Sequence, residues 1–518
     1  MPRTARTAPA SDAETGRAGD ARVAFPEIDG RRSTTATCRA IVADAARAAD
    51  PELSSTAERC ENWRKGYAPL LRELTALAAE EPRALAIARA GIDSMRTRLV
   101  LEGDGGAAPL AGSLDRDASE PQLGTGEIAG TGAPATRLEV PYRGRTLHDG
   151  ALVDQLERWV AAGAVEPSFA EAVELVSENP GWLSLPGRTV AVIGAGSEIG
   201  PLGPLCAWGA DVLAVDLPDE RVWARVRETA QRGSGTVRMP LAADGTPGLD
   251  VVADPAATRA WLARELGEST PVLGMYGYAD GGAHVLLSGA FDAIAAGISS
   301  RRADAAIAFL ATPTDSYVVP ARAVARARAA YRARRLRRVA QAPLKLASGG
   351  RLYRPAYENG AGEASVADAL IEQQGPNYAI AKRLQRWQGL LAAADGRQVS
   401  FNVAPATLTR SVTKNKVLAA AYAGARHFGI EIFEPATTRT LMAALLVHDL
   451  HRRAAEQPQG EGLFSDGAAH GGLWTAAYEP RSALGLAAVA GLPSILFSRH
   501  GAASGPGAPE SATREERA

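Results

Sequence analysis

The sequence predicts an α/β protein built on a doubly wound parallel sheet, with a helical N-terminal domain before it and a helical C-terminal cap after it. Three observations carry this reading. From Arg188 onward, short β-branched runs alternate with helical stretches. A glycine-rich turn follows the first run, and an acidic residue ends the second. Before Arg188 the apolar spacing is mostly helical. Strand–helix alternation of this kind calls for a parallel sheet with helices on both faces.

Taken in order, residues 1–20 are small and polar and are expected to be disordered. Residues 21–180 form the helical N-terminal domain, with YAPLLRELTALAAEEPRALAIARAGI reading as two helices broken at Pro82. Within it, 102–136 is rich in Gly, Ala, Pro and Ser and reads as a linker or long surface loop. LVDQLERWVAAGAV and the stretch from Ser168 to Asn179 are helical, and Asn179-Pro180-Gly181 breaks the chain. The α/β domain spans 186–455, with an insertion at 320–375; a cap at 456–500 and a polar tail at 501–518 complete the chain. Its strands are expected at TVAVIGAG, DVLAVDLP, TVRMPL or LDVVAD, PVLGMYGY and DAAIAFLAT.

The chain has 518 residues and 46% hydrophobic content, enough for a large core and more than one domain. Lys plus Arg total 57 against 58 Asp plus Glu, a net charge of -1, so no global charge points to nucleic acid or an anionic membrane. Cys38, Cys60 and Cys206 are widely spaced, which argues against a disulfide framework or a structural zinc and fits a reducing, cytoplasmic setting. The N-terminus lacks the apolar region of a secretory signal. SALGLAAVAGLPSILF is the most apolar segment; it is too short and too broken to span a membrane and reads as a buried helix and turn, with interfacial contact the alternative.

RTVAVIGAGSEIGPLGPLCAWGADVLAVDLP is the strongest local signal. A buried strand leads into Gly194, Gly196 and Gly200, with Ser197, Glu198 and Ile199 between them. Gly194 suits a tight turn, Gly196 suits close approach of a pyrophosphate, and Gly200 suits close packing of a helix on the strand. Asp216 ends the second strand, 22 residues after Gly194 (216 − 194). A carboxylate there accepts the ribose hydroxyls of an adenosine and repels a 2′-phosphate, which favours NAD over NADP. This is the pattern of a Rossmann-type nucleotide site. S-adenosylmethionine sites share the glycine turn and the acid, so the turn leaves that ligand open.

Tyr378 and Lys382 lie four apart in GPNYAIAKRLQRWQGLL, on one face of a helix that follows Pro376. A phenol ionises near pH 10, and a neighbouring ammonium lowers that value. Tyr378 can then exchange a proton with a substrate hydroxyl or carbonyl. A structural reading of the pair stands beside this one.

Glycine turn, acid-ended strand, YAIAK and the strand-like VSFNVAP together resemble the short-chain dehydrogenase/reductase superfamily, over Arg188 to Val412. The resemblance implies that Tyr378 is the acid/base and that Lys382 binds the nicotinamide ribose and tunes it. It implies that APATLTRS borders the nicotinamide and that Asp254 contacts the adenine. Asp254 also suits a helix N-cap before Pro255. Glu198 stands where the family turn has glycine, and YGYADGG replaces its Asn-Ala-Gly run, with no Asn in the next helix. The strand expected to carry the family serine ends near Thr312, Thr314 and Ser316, more than 60 residues before Tyr378. Thr312 and Ser316 are the candidates for polarising a carbonyl. Ser365 has the family spacing but sits in the helical-looking SVADALIEQQ. The interval from Gly194 to Tyr378 is 184 residues, with the excess between Pro320 and Gly375.

Eight arginines between Arg322 and Arg338 suit either a grip on a phosphate-bearing thioester or a solvated helix in an inserted lid. Little aromatic interleaving accompanies them, which argues against nucleic acid. His448 and His451 share a helix face but lack a third metal ligand, so no metal is expected. Cys206 reads as a small buried hydrophobe, and Asp315 and Tyr317 as substrate contacts. A small-molecule substrate and a homo-oligomer complete the expectations. The first function is an NAD-dependent oxidoreductase acting on an alcohol or carbonyl. The others are a non-catalytic dinucleotide-binding protein and a methyltransferase.

Overall fold

The computed structural model describes residues 21–113, 123–357 and 365–501. Residues 1–20 and 502–518, for which disorder was expected, lie outside them. Seven strands form the central sheet: β1 (Gly124–Ala129), β2 (Arg188–Ile193), β3 (Asp211–Val215), β4 (Thr236–Leu241), β5 (Thr270–Met275), β6 (Ala306–Ala311) and β7 (Val399–Val403). Their order is β7-β6-β5-β2-β3-β4-β1. Strands β2 to β7 are parallel, and β1 joins β4 antiparallel at the edge. In chain order the six parallel strands run 3-2-1-4-5-6 from β4 to β7, the order of Rossmann-type sheets. The order reverses between β2 and β5, and a ligand crevice opens at the carboxyl ends of such a pair.

Alternation along each strand explains why both faces are covered. Ala191 and Ile193 of β2 enter one hydrophobic cluster, and Val190 and Val192 enter the other. Strand β7 departs from this: Val399, Phe401 and Val403 are apolar, but Ser400 and Asn402 on its other face bond to Asp449, at 2.7 and 2.8 Å.

The helices used below are α1 (Thr34–Arg47), α2 (Trp63–Leu77), α3 (Glu81–Arg98), α4 (Leu202–Trp208), α5 (Pro255–Leu266), α6 (Ala283–Ser299), α7 (Ala321–Ala333), α8 (Arg335–Ala347), α9 (Pro376–Ala394), α10 (Lys416–Ala425), α11 (Pro435–His451) and α12 (Pro480–Gly501). Residues of α1, α2 and α3 share one cluster with Ile193, Leu273 and Phe309 of the sheet. Helix α3 lies directly on α9, and a Cβ at Gly91 would overlap the Trp387 ring. Helices α10 and α12 cross at Gly424 and Gly491, where a Cβ on either would overlap a backbone carbonyl of the other helix.

Three segments differ from the sequence reading; SALGLAAVAGLPSILF, expected as a buried helix and turn, lies within the single helix α12, with Val489 and Leu492 exposed. Residues 102–136 were expected as a linker or loop, yet GTGEIA within them is the edge strand β1. Main-chain pairing needs no side chains, so the small-residue composition did not reveal it. SVADALIEQQ was expected to be helical. Instead Val366–Asp368 pairs with Ser316–Val318, and Glu372–Gln374 forms a 3-10 turn. Among the described residues, no helix is long and apolar enough to cross a membrane.

Candidate functional site

Strand β2 delivers the glycine turn to the crossover point of the sheet. Gly194 has φ +93°, and a Cβ there would overlap the Gly277 backbone after β5. Conformation and close approach therefore both require glycine. Ser197 N–H donates to the Gly194 carbonyl at 3.0 Å and Gly200 N–H to that of Ser197 at 3.3 Å. Ile199 packs into the cluster beneath. Gly196 N–H donates to Asp216 Oδ2 at 2.7 Å, and Leu217 N–H to Oδ1 at 2.8 Å. Burial pushes the Asp216 carboxyl above the usual range, against the pull of these two donors. Each carboxylate oxygen keeps capacity for a further donor, such as a ribose hydroxyl.

The turn does not run straight into a helix. Helix α4 begins only at Leu202 and has seven residues. Between them, the Glu198 carboxylate accepts the Arg410 backbone N–H at 2.9 Å and pairs with its Nε at 3.6 Å. The glycine turn thus touches the APATLTRS segment after β7. Gly194, Gly196 and Asp216 fit the adenosine end of a dinucleotide. At the phosphate end Glu198 is an anion, so a pyrophosphate there depends on Arg410 to neutralise it.

The second half of the site lies beyond β5 and β6. Tyr378, near the start of α9, lies beside the Thr312 side chain at the end of β6. Thr312 Oγ1 meets Thr314 Oγ1 at 2.8 Å, and Gln374 Nε2 donates to Thr314 Oγ1 at 2.6 Å. Lys382 Nζ donates to the Leu310 carbonyl and to Gln385 Oε1, both at 3.0 Å. Burial lowers the Lys382 ammonium to about 8, with Asp315 opposing. The Tyr378 hydroxyl is held above the ordinary phenol range by burial, although the neighbouring Thr312 hydroxyl pulls it down. The expected lowering by a neighbouring ammonium is therefore not what the structure gives. Desolvation outweighs it, and the ammonium's bonds go to Leu310 and Gln385.

Sequence reasoning missed His284, at the start of α6. It is fully buried, and neither ring nitrogen has a hydrogen-bond partner. Its ring lies edge-on to Tyr378 and Tyr278, with centroids 5.4 and 5.1 Å away. Burial, then the charge of Lys382, lowers it to about 3. A histidine opening the otherwise apolar AHVLLSGAF was the available signal.

The other predicted residues have structural work. Asp254 caps α5, accepting the Ala257 N–H at 2.8 Å. Ser316 is fully buried and bonded to Thr75 at 2.8 Å and Arg383 at 3.0 Å. Asp315 binds the buried guanidiniums of Arg383 and Arg386, each at 3.0 Å, and Arg386 also bonds to Glu461 at 2.5 Å. Tyr317 is buried, donates to the Thr312 carbonyl at 2.5 Å and lies under Arg386. Asp315 and Tyr317 therefore brace the site instead of lining it. Cys206 is buried, and burial raises its thiol to about 12. His448 pairs with Asp449 while His451 stacks on Trp182 at 4.4 Å. Among the described residues, no group of three or more His, Cys, Asp and Glu side chains could hold a metal ion.

Beside Thr314 an apolar cavity of ≈ 680 Å³, part of it open to solvent, extends between α10 and α12. Ile371, Ala406, Tyr422, Phe428, Ala476 and Tyr478 are among its walls. Thr314 in its wall bonds to Thr312, which lies beside Tyr378, so the cavity adjoins the tyrosine. No protein-family model and no curated protein sequence matches the chain.

Proposed function

We propose that this chain is an NAD-dependent oxidoreductase that interconverts an alcohol and a carbonyl. The observation that carries the reading is the placement of Tyr378 beside Thr312, at the carboxyl end of the sheet and one helical turn from Lys382. The 3-2-1-4-5-6 strand order, the positive-φ Gly194 and the Asp216 carboxylate support a nicotinamide dinucleotide as cofactor. Bound there, the dinucleotide supplies or accepts the hydride.

Tyr378 supplies the proton. Kept neutral by burial, it is set to donate to the oxygen of a bound carbonyl, with Thr312 orienting the same oxygen. Lys382 places positive charge at the end of β6, where a phenolate formed on donation is stabilised. The substrate's apolar part occupies the cavity between α10 and α12.

A second reading, a non-catalytic dinucleotide-binding protein, is favoured by the raised Tyr378 hydroxyl and by the structural use of Ser316. Thermal unfolding with NAD, NADP and S-adenosylmethionine added separately tests both. A ligand that binds only the folded state stabilises it by about 2.7 kcal/mol at one hundred times its dissociation constant. A shift with NAD, lost in Asp216→Ala, is expected. A shift with S-adenosylmethionine alone overturns the proposal in favour of a methyltransferase.

A further inference from the structure

Helix α8 is mounted with its apolar side outward. None of its residues is buried. It meets the body through Arg338, Gln341 and Lys345, which are half-buried and share one face at spacings of three and four. The Arg338 guanidinium lies over the Tyr331 ring at 4.6 Å, and Gln341 Oε1 accepts the Tyr478 hydroxyl at 2.7 Å. On the opposite face Leu336, Val339 and Leu346 are 87%, 71% and 85% exposed. An ordinary surface helix turns its leucines inward. With Leu344, 52% exposed, four leucine or valine side chains left in water by one short helix mark an interaction surface.

The helices that wall the cavity expose apolar side chains too. Val417 on α10, Val489 and Leu492 on α12, and Leu408 before α10 are exposed as well. Two cavity walls contact the basic insertion directly: Arg334 lies over the Tyr478 ring at 5.6 Å, and its Nη2 donates to the Phe428 carbonyl at 3.4 Å. The sequence segments that carry this patch are basic, with Arg322 paired to Glu166 and Arg354 to Glu479 from elsewhere in the chain. From Ser316 to Tyr357 the sequence has eleven Lys or Arg and no Asp or Glu. From Pro405 to Ile430 it again has basic residues only. Exposed leucines flanked by the exposed Arg335 and Arg337 match a surface that is apolar inside and anionic at its rim.

We infer that this face docks on an anionic lipid bilayer, with α8 lying in the headgroup region, and that the cavity receives the apolar chain of a membrane amphiphile. Docking places the leucines of α8 at the acyl boundary and the arginines against lipid phosphates. The adjoining cavity then opens at the membrane surface, so an apolar chain passes from lipid to protein without crossing water. The docking stands on the exposed face and its charge. Only the identification of the amphiphile as substrate rests on the oxidoreductase reading.

The test is flotation of the full chain with phosphatidylcholine vesicles, with and without phosphatidylglycerol. The protein is expected to float only with the anionic vesicles and to be released by high salt. Leu336→Asp with Leu346→Asp should abolish flotation and leave the unfolding temperature unchanged, since both side chains are already in solvent. Arg335→Glu with Arg337→Glu should weaken flotation at least tenfold. Failure to float on anionic vesicles overturns the inference. So does a dimer that the aspartate pair splits into monomers while vesicles go unbound, because a second copy would then cover the face. For the cavity, a fluorescent long-chain fatty acid should bind the parent protein, and Ala425→Trp should reduce that binding at least tenfold while flotation persists. Unchanged fatty-acid binding in Ala425→Trp overturns the cavity assignment. Neither readout needs NAD, so a failed cofactor test leaves them independent.

Discussion

The His284 ring stands edge-on to the Tyr378 ring, centroids 5.4 Å apart, with both of its nitrogens unpartnered in a fully buried position. Its imidazole is lowered to about 3, first by burial and then by Lys382. The unfolded chain binds this proton near pH 6.5 and the folded chain does not. The contribution to stability is therefore intact above pH 6.5 and is lost as pH falls from there toward 3. Between pH 7 and pH 5 the loss is roughly 2 kcal/mol. Urea unfolding of the parent and of His284→Phe across this range checks it. The variant should lose stability less steeply on acidification, whatever its stability at pH 7. Parallel curves would show that the imidazole is not the group concerned.

Thr312 and Ser316 were equal candidates in the sequence, and the structure separates them. Thr312 lies beside Tyr378, whereas Ser316 bonds to Thr75 and Arg383. Thr312→Val should lower kcat about tenfold or more with little change in unfolding temperature. Ser316→Ala should lower stability by about 1–3 kcal/mol, because it strips partners from a buried guanidinium and a buried hydroxyl. Tyr378→Phe should reduce kcat by about 10²–10⁴ and keep the thermal shift with NAD. Retained turnover in Tyr378→Phe would remove the tyrosine from the chemistry.

The Asp315 carboxylate holds Arg383 and Arg386 together in a place closed to water, where all three side chains are 1–2% exposed. Asp315→Asn leaves two buried cations with Glu461 as the remaining carboxylate among these bonds. Breaking a buried pair from one side costs about 3–5 kcal/mol. Denaturant unfolding should show a loss of that size, with the slope unchanged. A loss below about 1 kcal/mol would mean that solvent reaches the cluster and screens it.

What the sequence made legible was the part written in local pattern. The strand–glycine–strand–acid order around Gly194 and Asp216 follows from residue types that few other structures need, and it located the crossover point. Strand β1 was not legible, because GTGEIA pairs through its main chain and has no apolar face to show. Ser316 misled for a different reason. Its distance in sequence from Tyr378 was visible, but the partners that claim its hydroxyl, Thr75 and Arg383, come from α2 and α9. His284 escaped because a lone histidine is ordinary until its surroundings show both nitrogens without partners.

Gly91 tests how firmly the N-terminal helices support α9, the helix that carries Tyr378 and Lys382. A Cβ at position 91 would overlap the six-membered ring of Trp387, so Gly91→Ala must push α3 away from α9 or turn the indole. Trp387 lies five residues beyond Lys382 on the same helix, and its other neighbours fill the cluster beneath the sheet. Overpacking of this kind costs about 1–3 kcal/mol. If α3 is a support for the site, kcat should also fall several-fold in Gly91→Ala, because a shift of α9 moves the Tyr378 hydroxyl against Thr312. Trp387→Phe in the Gly91→Ala background should restore both stability and turnover in part. A stability loss with turnover intact would show that α9 holds its position from the sheet side alone, through β6 and β7.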